Sequence, residues 1–93
     1  MSATTQTEDG QRLALYTRGC CFFCVYVMRA IKQLGLEVEL RDVGRDPGHR
    51  SDLIAATGRK TVPVLHIEHA DGRIEWLPES REIVRYLYRH FGE

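Results

Sequence analysis

Three cysteines stand within a single short stretch of this chain, at Cys20, Cys21 and Cys24, and none occurs elsewhere. Bridges that staple a small fold are spread along the chain, so these three cannot form such a framework. The fold must rest instead on a hydrophobic core and on regular secondary structure. With 93 residues there is material for one domain, and a 43% apolar share is enough to order most of it. Basic and acidic residues balance at 13 each, which leaves no surplus of positive charge for nucleic acid. The longest apolar stretch, from Cys20 to Met28, falls well short of the ~20 residues a membrane span requires. No membrane association is expected. Residues 1–10 are polar and acidic and show no apolar periodicity, so a loose tail is expected ahead of a domain over 11–93. That tail lacks the basic and apolar regions of a secretory leader, and a cytoplasmic monomer is expected.

Arg12 to Thr17 is a short apolar run that reads as a buried strand. From Phe22 to Leu34 the period turns helical, with Val27, Ile31 and Leu34 on one face and Gly35 at the C′ position. Leu36 to Val43 alternates, with Leu36, Val38 and Leu40 set against Glu37, Glu39 and Arg41, as in a strand with one wet face. Asp46 and Pro47 open a helix expected to run to about Thr57 and stop at Gly58. Val62 to Ile67 reads as a strand with a proline near its beginning. Ala70-Asp71-Gly72 supplies a hairpin turn, and Ile74 to Leu77 the return strand. Ser80 is expected to cap a last helix carrying Ile83, Leu87 and Phe91 at helical spacing. The order is β-α-β-α-β-β-α, an α/β fold. Its first βαβ unit pairs in parallel and its last two strands form an antiparallel hairpin, so the sheet has four strands and is mixed.

Cys21-Phe22-Phe23-Cys24 sets two thiols at the spacing of one helical turn, where the first strand gives way to the first helix. At that spacing the two can close a disulfide. Backbone N–H groups and the positive dipole end at a helix start stabilise a thiolate and make it a nucleophile. Cys21, at the helix mouth, is the expected attacking thiol, and Cys24, one turn inside, the resolving one. Arg18 adds positive charge just upstream. Two other readings stay open: packing of an apolar pair in the core, and half of a zinc site completed by His66 and His69. The second has unfavourable histidine spacing and no second Cys-x-x-Cys. A redox pair is favoured, with no metal. Cys20 is out of phase with the pair and reads as an incidental thiol.

Thr61-Val62-Pro63 opens the third strand. A cis bond before Pro63 would aim the Val62 backbone into the cleft beside the cysteines, where an extended thiol peptide could pair with it. A trans proline at a strand edge fits the residues equally well. At the last helix, Ser80 and the free N–H groups can take a carboxylate while Glu79 takes an ammonium, together gripping an α-amino acid head. Arg59 and Lys60 can grip a second carboxylate.

With these residues in view, the chain resembles the glutaredoxins and the N-terminal domain of glutathione transferases, both of thioredoxin-like fold. The resemblance covers nearly everything after residue 11. It rests on Leu15-Tyr16-Thr17 followed by Cys21-x-x-Cys24, on Thr61-Val62-Pro63, and on the segment from Pro78 to Leu87 that contains Glu79-Ser80. The first two marks look like glutaredoxin and the third like the transferase domain. The resemblance implies a cis Pro63, a catalytic Cys21, and glutathione, as co-substrate, held by Val62, Glu79 and Ser80. Its other partners would be disulfides or glutathionylated proteins. Glutaredoxins commonly carry proline and tyrosine between the cysteines, where this chain has Phe22 and Phe23. Some that lack the proline hold a [2Fe–2S] cluster between two chains with glutathione, so the alternative to the enzyme is a binding role, either such a carrier or a glutathione-binding module without turnover, and the cluster is not favoured.

Overall fold

The computed structural model describes residues 11–19 and 21–92. The expected loose tail over 1–10 and the reading of Cys20 lie outside the described residues. The elements are β1 (Arg12–Thr17), α1 (Phe22–Leu34), β2 (Glu39–Asp42), α2 (Pro47–Thr57), β3 (Val64–Glu68), β4 (Ile74–Pro78) and α3 (Ser80–Phe91). They form a four-stranded mixed sheet in the order β2-β1-β3-β4. Strand β1 pairs in parallel with β2 and antiparallel with β3, which continues antiparallel to β4. This is the thioredoxin-like architecture that the resemblance implied.

The central position of β1 explains its composition. Leu13 and Leu15 face one layer, where they join Leu65 and Ile67 of β3, Val27 and Ile31 of α1, and Ile83 and Leu87 of α3. Tyr16 faces the other layer with Val64, Val43 and Leu53. Both faces of β1 are therefore covered, which is why the strand reads as a continuous apolar run rather than an alternating one. Helix α2 holds its layer through one buried residue, Leu53.

The helix ends follow their capping chemistry. Gly35 takes φ 69° and returns its N–H to Ile31 and Lys32, and Gly58 takes φ 76° and returns its own to Ile54. Asp46 accepts the N–H of Gly48 at 2.8 Å, with Pro47 in the first turn. The hairpin closes as expected, with Asp71 accepting the N–H of Arg73 at 3.0 Å.

Three expectations are corrected. Strand β2 spans Glu39–Asp42 rather than 36–43, pairing with β1 only over Ala14 to Thr17. Leu36 and Val38 pack on the core from the connection before it, whereas Leu40, expected on the dry face, is 52% exposed at the sheet edge. Strand β3 begins at Val64, two residues later than expected, since Val62 and Pro63 belong to the approach to the strand. Ser80 does not cap α3. Glu79 occupies the N-cap position without a side-chain hydrogen bond, and Ser80 is the first helical residue.

Candidate functional site

Cys21 is the N-cap of α1. Its backbone is extended, its sulfur accepts the N–H of Cys24 at 3.3 Å, and its carbonyl accepts the N–H of Val25 at 3.0 Å. A sulfur so placed receives a backbone donor and faces the positive end of the helix dipole. Cys21 is half-buried and Cys24 buried, and both are free thiols. Burial pushes the Cys24 thiol above its ordinary value, and its hydrogen bond with Cys21 adds to the rise. The Thr17 side chain and the Arg18 backbone bond the same sulfur and oppose it.

Arg18, Cys21 and Cys24 line one hollow of about 210 Å³, shared with Thr17, Val25 and Leu40. Arg59, Thr61, Val62, Pro63, Glu79 and Ser80 line a second, larger cleft of about 410 Å³. That volume lies within the ~300–1,000 Å³ typical of small-molecule sites. Nine of the ten residues singled out from the sequence thus fall into these two spaces, and only the exposed Lys60 lines neither. The first turn of α1 joins the spaces, with Cys21 facing one and Phe23 the other.

The Val62–Pro63 bond is cis, as the resemblance implied and as the residues alone left open. Pro63 is buried, and Val62 is half-buried at the cleft wall. Across the cleft, Glu79 holds φ 73° and ψ 121°, the one positive φ at a non-glycine among the described residues. No side-chain oxygen caps α3, so its first-turn N–H groups stay free to meet an anion at the cleft.

Arg81, in the first turn of α3, also lines the cleft and was not singled out from the sequence. Its place one residue after Ser80 at a helix start was the available signal. Neither Arg81 nor Arg59 forms an ion pair among the described residues. The cleft therefore offers two uncommitted guanidinium groups and a helix N-terminus to anions, and one carboxylate, Glu79, to a cation. Phe22, by contrast, projects away from the core at 89% exposure.

The histidines considered as zinc ligands are engaged elsewhere. His66 packs edge-on against Trp76 at 4.7 Å between ring centres, and His69 sits 3.0 Å from Glu75 and 3.1 Å from Gln11. Among the described residues no group of three or more His, Cys, Asp or Glu is arranged to hold a metal ion. No helix among them is long and apolar enough to cross a membrane.

A family model described as glutathione S-transferase, N-terminal domain, matches residues 15–93. Among solved structures, maleylacetoacetate isomerase from Anaeromyxobacter dehalogenans 2CP-1 with bound glutathione is similar at 29% identity and a TM-score of 0.70, over 89% of this chain and 39% of that one. Glutaredoxin 2 from Salmonella typhimurium in complex with glutathione is similar at 30% identity and a TM-score of 0.68, over 87% and 34% of the two chains. A trimeric glutathione transferase from Leishmania is 26% identical, with a TM-score of 0.70, over 85% and 18%. The chain thus spans about two fifths or less of the length of these proteins. No curated protein matches it significantly in sequence.

Proposed function

The chain belongs to the family of glutathione S-transferase N-terminal domains, and on that premise we propose that it is a glutathione-dependent thiol–disulfide oxidoreductase of the glutaredoxin type. The observation that carries this reading is the position of Cys21. Its sulfur caps α1 and accepts the Cys24 N–H at 3.3 Å, one helical turn from a second, buried thiol. A transferase needs no second cysteine there, whereas disulfide exchange uses both.

In this reading the cleft binds glutathione. Glu79 takes the ammonium of the γ-glutamyl end, and the α3 N-terminus at Ser80 takes its carboxylate. Arg59 takes the glycyl carboxylate, and the backbone of Val62, beside Pro63 and Thr61, pairs with the cysteinyl portion. Lys60 and Arg18 contribute positive charge at the margin. The Cys21 thiolate attacks the glutathionyl sulfur of a mixed disulfide. The old S–S bond breaks, and the protein thiolate leaves and takes a proton from water. A second glutathione thiolate then attacks the glutathionyl sulfur on Cys21, giving glutathione disulfide and regenerating the Cys21 thiolate. With a dithiol substrate route, Cys24 attacks Cys21 instead and releases glutathione, leaving a Cys21–Cys24 disulfide that two glutathiones reduce. Such chemistry suits the reducing, glutathione-rich cytoplasm.

The competing reading is a glutathione-ligated [2Fe–2S] carrier. That reading uses one accessible thiol per chain beside glutathione, which Cys21 also supplies, and leaves the buried Cys24 without a role. The deciding assay is turnover of a glutathionylated peptide with glutathione, glutathione reductase and NADPH. Steady NADPH consumption that Cys21→Ser abolishes is the expected result. Absent turnover, together with conjugation of glutathione to a carbon electrophile, would replace this reading with a transferase one. Visible absorption after anaerobic reconstitution, lost in Cys21→Ser, would replace it with the carrier.

A further inference from the structure

The hollow beside the cysteine pair has no part in holding glutathione. It measures about 210 Å³, and both Cys21 and Cys24 stand in its wall. The rest of that wall is chiefly apolar, with Val25 and Met28 from α1 and Leu40 from β2. Val25 is 49% exposed and Leu40 52%, and neither is among the side chains packed in the two core layers. An exposed apolar side chain standing alone is ordinary, but these two come from different elements and meet in one hollow with a free thiol. Two charged residues share the hollow. Asp42 is turned to its own loop, where Oδ1 accepts the N–H groups of Gly44 and Arg45 at 2.8 and 3.1 Å. Arg18 stands exposed. The chemical contrast with the cleft is plain: the cleft gathers Arg59, Arg81 and Glu79, whereas the hollow presents mainly carbon and sulfur.

We propose that this hollow is a second substrate subsite, which takes an uncharged aliphatic group carried next to the sulfur that exchanges with Cys21. A group joined to Cys21 through a disulfide is tethered at the wall and leaves the sulfur toward one of two spaces. The charges of the cleft suit a ligand with carboxylates and an ammonium. The hollow suits a branched alkyl group, and its volume lies below the ~300 Å³ at which sites for whole small molecules begin, so it has room for a side chain rather than an entire ligand. The covalent step is thiol–disulfide exchange. The Cys21 thiolate attacks one sulfur of a disulfide, the old S–S bond breaks, a new one forms on Cys21, and the departing thiolate takes a proton from water. Burial of the attached alkyl group in the hollow shifts that exchange toward the mixed disulfide. As a step in turnover the subsite rests on the oxidoreductase reading, to which it adds a preference for cysteines flanked by aliphatic residues. The capture of an alkyl group beside Cys21 does not rest on it.

The test separates the two. In the full chain carrying Cys20→Ser and Cys24→Ser, Cys21 is the single thiol. It is equilibrated with isopentyl hydroxyethyl disulfide in a fixed excess of mercaptoethanol, and intact mass gives the ratio of the two adducts, set against the ratio on free cysteine. The isopentyl adduct should be favoured by about tenfold, the effect of burying one to two methylene groups. Leu40→Ser, at an exposed edge position, should remove most of that preference and leave capture of glutathione from glutathione disulfide as it was. Val25→Ser should act in the same direction. Glu79→Gln should do the reverse, lowering capture of glutathione alone. Melting curves of each variant show that the fold is kept. Equal adducts, or an isopentyl preference that survives both serine variants, would overturn the proposal. A preference removed by Phe23→Ser instead would also overturn it, by moving the alkyl group into the cleft. In the wild-type chain, glutathionylated peptides with leucine beside the cysteine should turn over with kcat/KM on the order of tenfold above those with glycine, and Leu40→Ser should level the two. Equal values in the wild type would overturn the role in substrate choice. If the isopentyl preference holds and depends on Leu40 while the wild-type chain turns over no glutathionylated peptide, the subsite keeps its assignment and the oxidoreductase reading falls.

Discussion

The backbone N–H of Cys24 points at the sulfur of Cys21, 3.3 Å away, so a thiol fills the place a serine hydroxyl commonly fills at the start of a helix. Folding and reactivity can therefore be separated at this one atom. Cys21→Ser supplies a better capping oxygen in the same geometry. Its stability should be unchanged or raised by up to about 1 kcal/mol, while disulfide exchange falls to background. Cys21→Ala removes the acceptor and should lose about 1 kcal/mol, roughly 4–8 °C in Tm for a domain of this size. Melting curves beside the glutathione turnover assay check both. A clear loss of stability in the serine variant would mean that the sulfur contributes to the fold in some way other than capping.

The two thiols should also differ in reactivity. Cys21 is half-buried at the helix mouth, whereas Cys24 is 1% exposed and its thiol is pushed up, first by burial and then by its bond to Cys21. Near neutral pH, iodoacetamide should modify Cys21 faster than Cys24, because Cys24 is out of reach of solvent and its raised thiol stays protonated. Peptide mapping by mass spectrometry after short exposures gives the order. Faster modification of Cys24 would exchange the roles of attacking and resolving thiol. Cys24→Ser should keep the glutathione-resolved route and lose the dithiol one.

On the opposite face of the sheet, the imidazole of His66 is held below its ordinary value, chiefly by burial and next by the nearby Arg41 guanidinium. The folded state then binds the proton more weakly than the unfolded chain does. By linkage, stability associated with neutral His66 is fully present above the unfolded value of about 6.5 and is lost as pH falls through the lower folded value. Denaturant midpoints should therefore decline between about pH 7 and pH 5, and His66→Gln should flatten that part of the curve. An unaltered slope in the glutamine variant would assign the decline to other groups.

How far the sequence can be read differs by element. The order of elements, the bounds of α1 and the stops at Gly35 and Gly58 follow from local chemistry, so periodicity and capping residues reveal them. Strand β2 does not. The alternation starts at Leu36, three residues before the pairing with β1 does, and pairing, unlike alternation, depends on how the two strands lie against each other. The start of α3 was misplaced for a related reason. Serine is an excellent N-cap, and nothing local announces that Glu79 will adopt φ 73° and take that position. The candidate site was legible residue by residue, because Cys21, Cys24, Val62, Pro63, Glu79 and Ser80 each sit at the mouth of an element. Its division into two spaces, and the entry of Thr17 and Arg81, depend on how separate elements meet and leave no periodic trace.

The backbone of Glu79 yields the sharpest trade between stability and binding. A non-glycine residue at φ 73° and ψ 121° carries strain of about 1–3 kcal/mol, and the helix it precedes receives no side-chain cap in return. Glycine adopts the same angles without a Cβ penalty, at a cost of about 0.5–1 kcal/mol in unfolded-state entropy. Glu79→Gly should therefore leave the protein as stable as before or more stable by about 1 kcal/mol. If Glu79 meets the ammonium of glutathione, the same variant should raise KM for glutathione by about tenfold or more, the effect of losing a charged hydrogen bond of ~1.5–3 kcal/mol. Glu79→Gln keeps the strain and loses the charge, so it should raise KM with no gain in stability. Ser80→Ala completes the comparison. Because Ser80 lies inside the helix rather than capping it, its loss should change stability by less than about 0.5 kcal/mol, yet KM should still rise. Kinetics that leave KM for glutathione unchanged in all three variants would move the γ-glutamyl end out of this cleft. A stability loss of about 1 kcal/mol in Ser80→Ala would return the serine to the capping role that the sequence suggested for it.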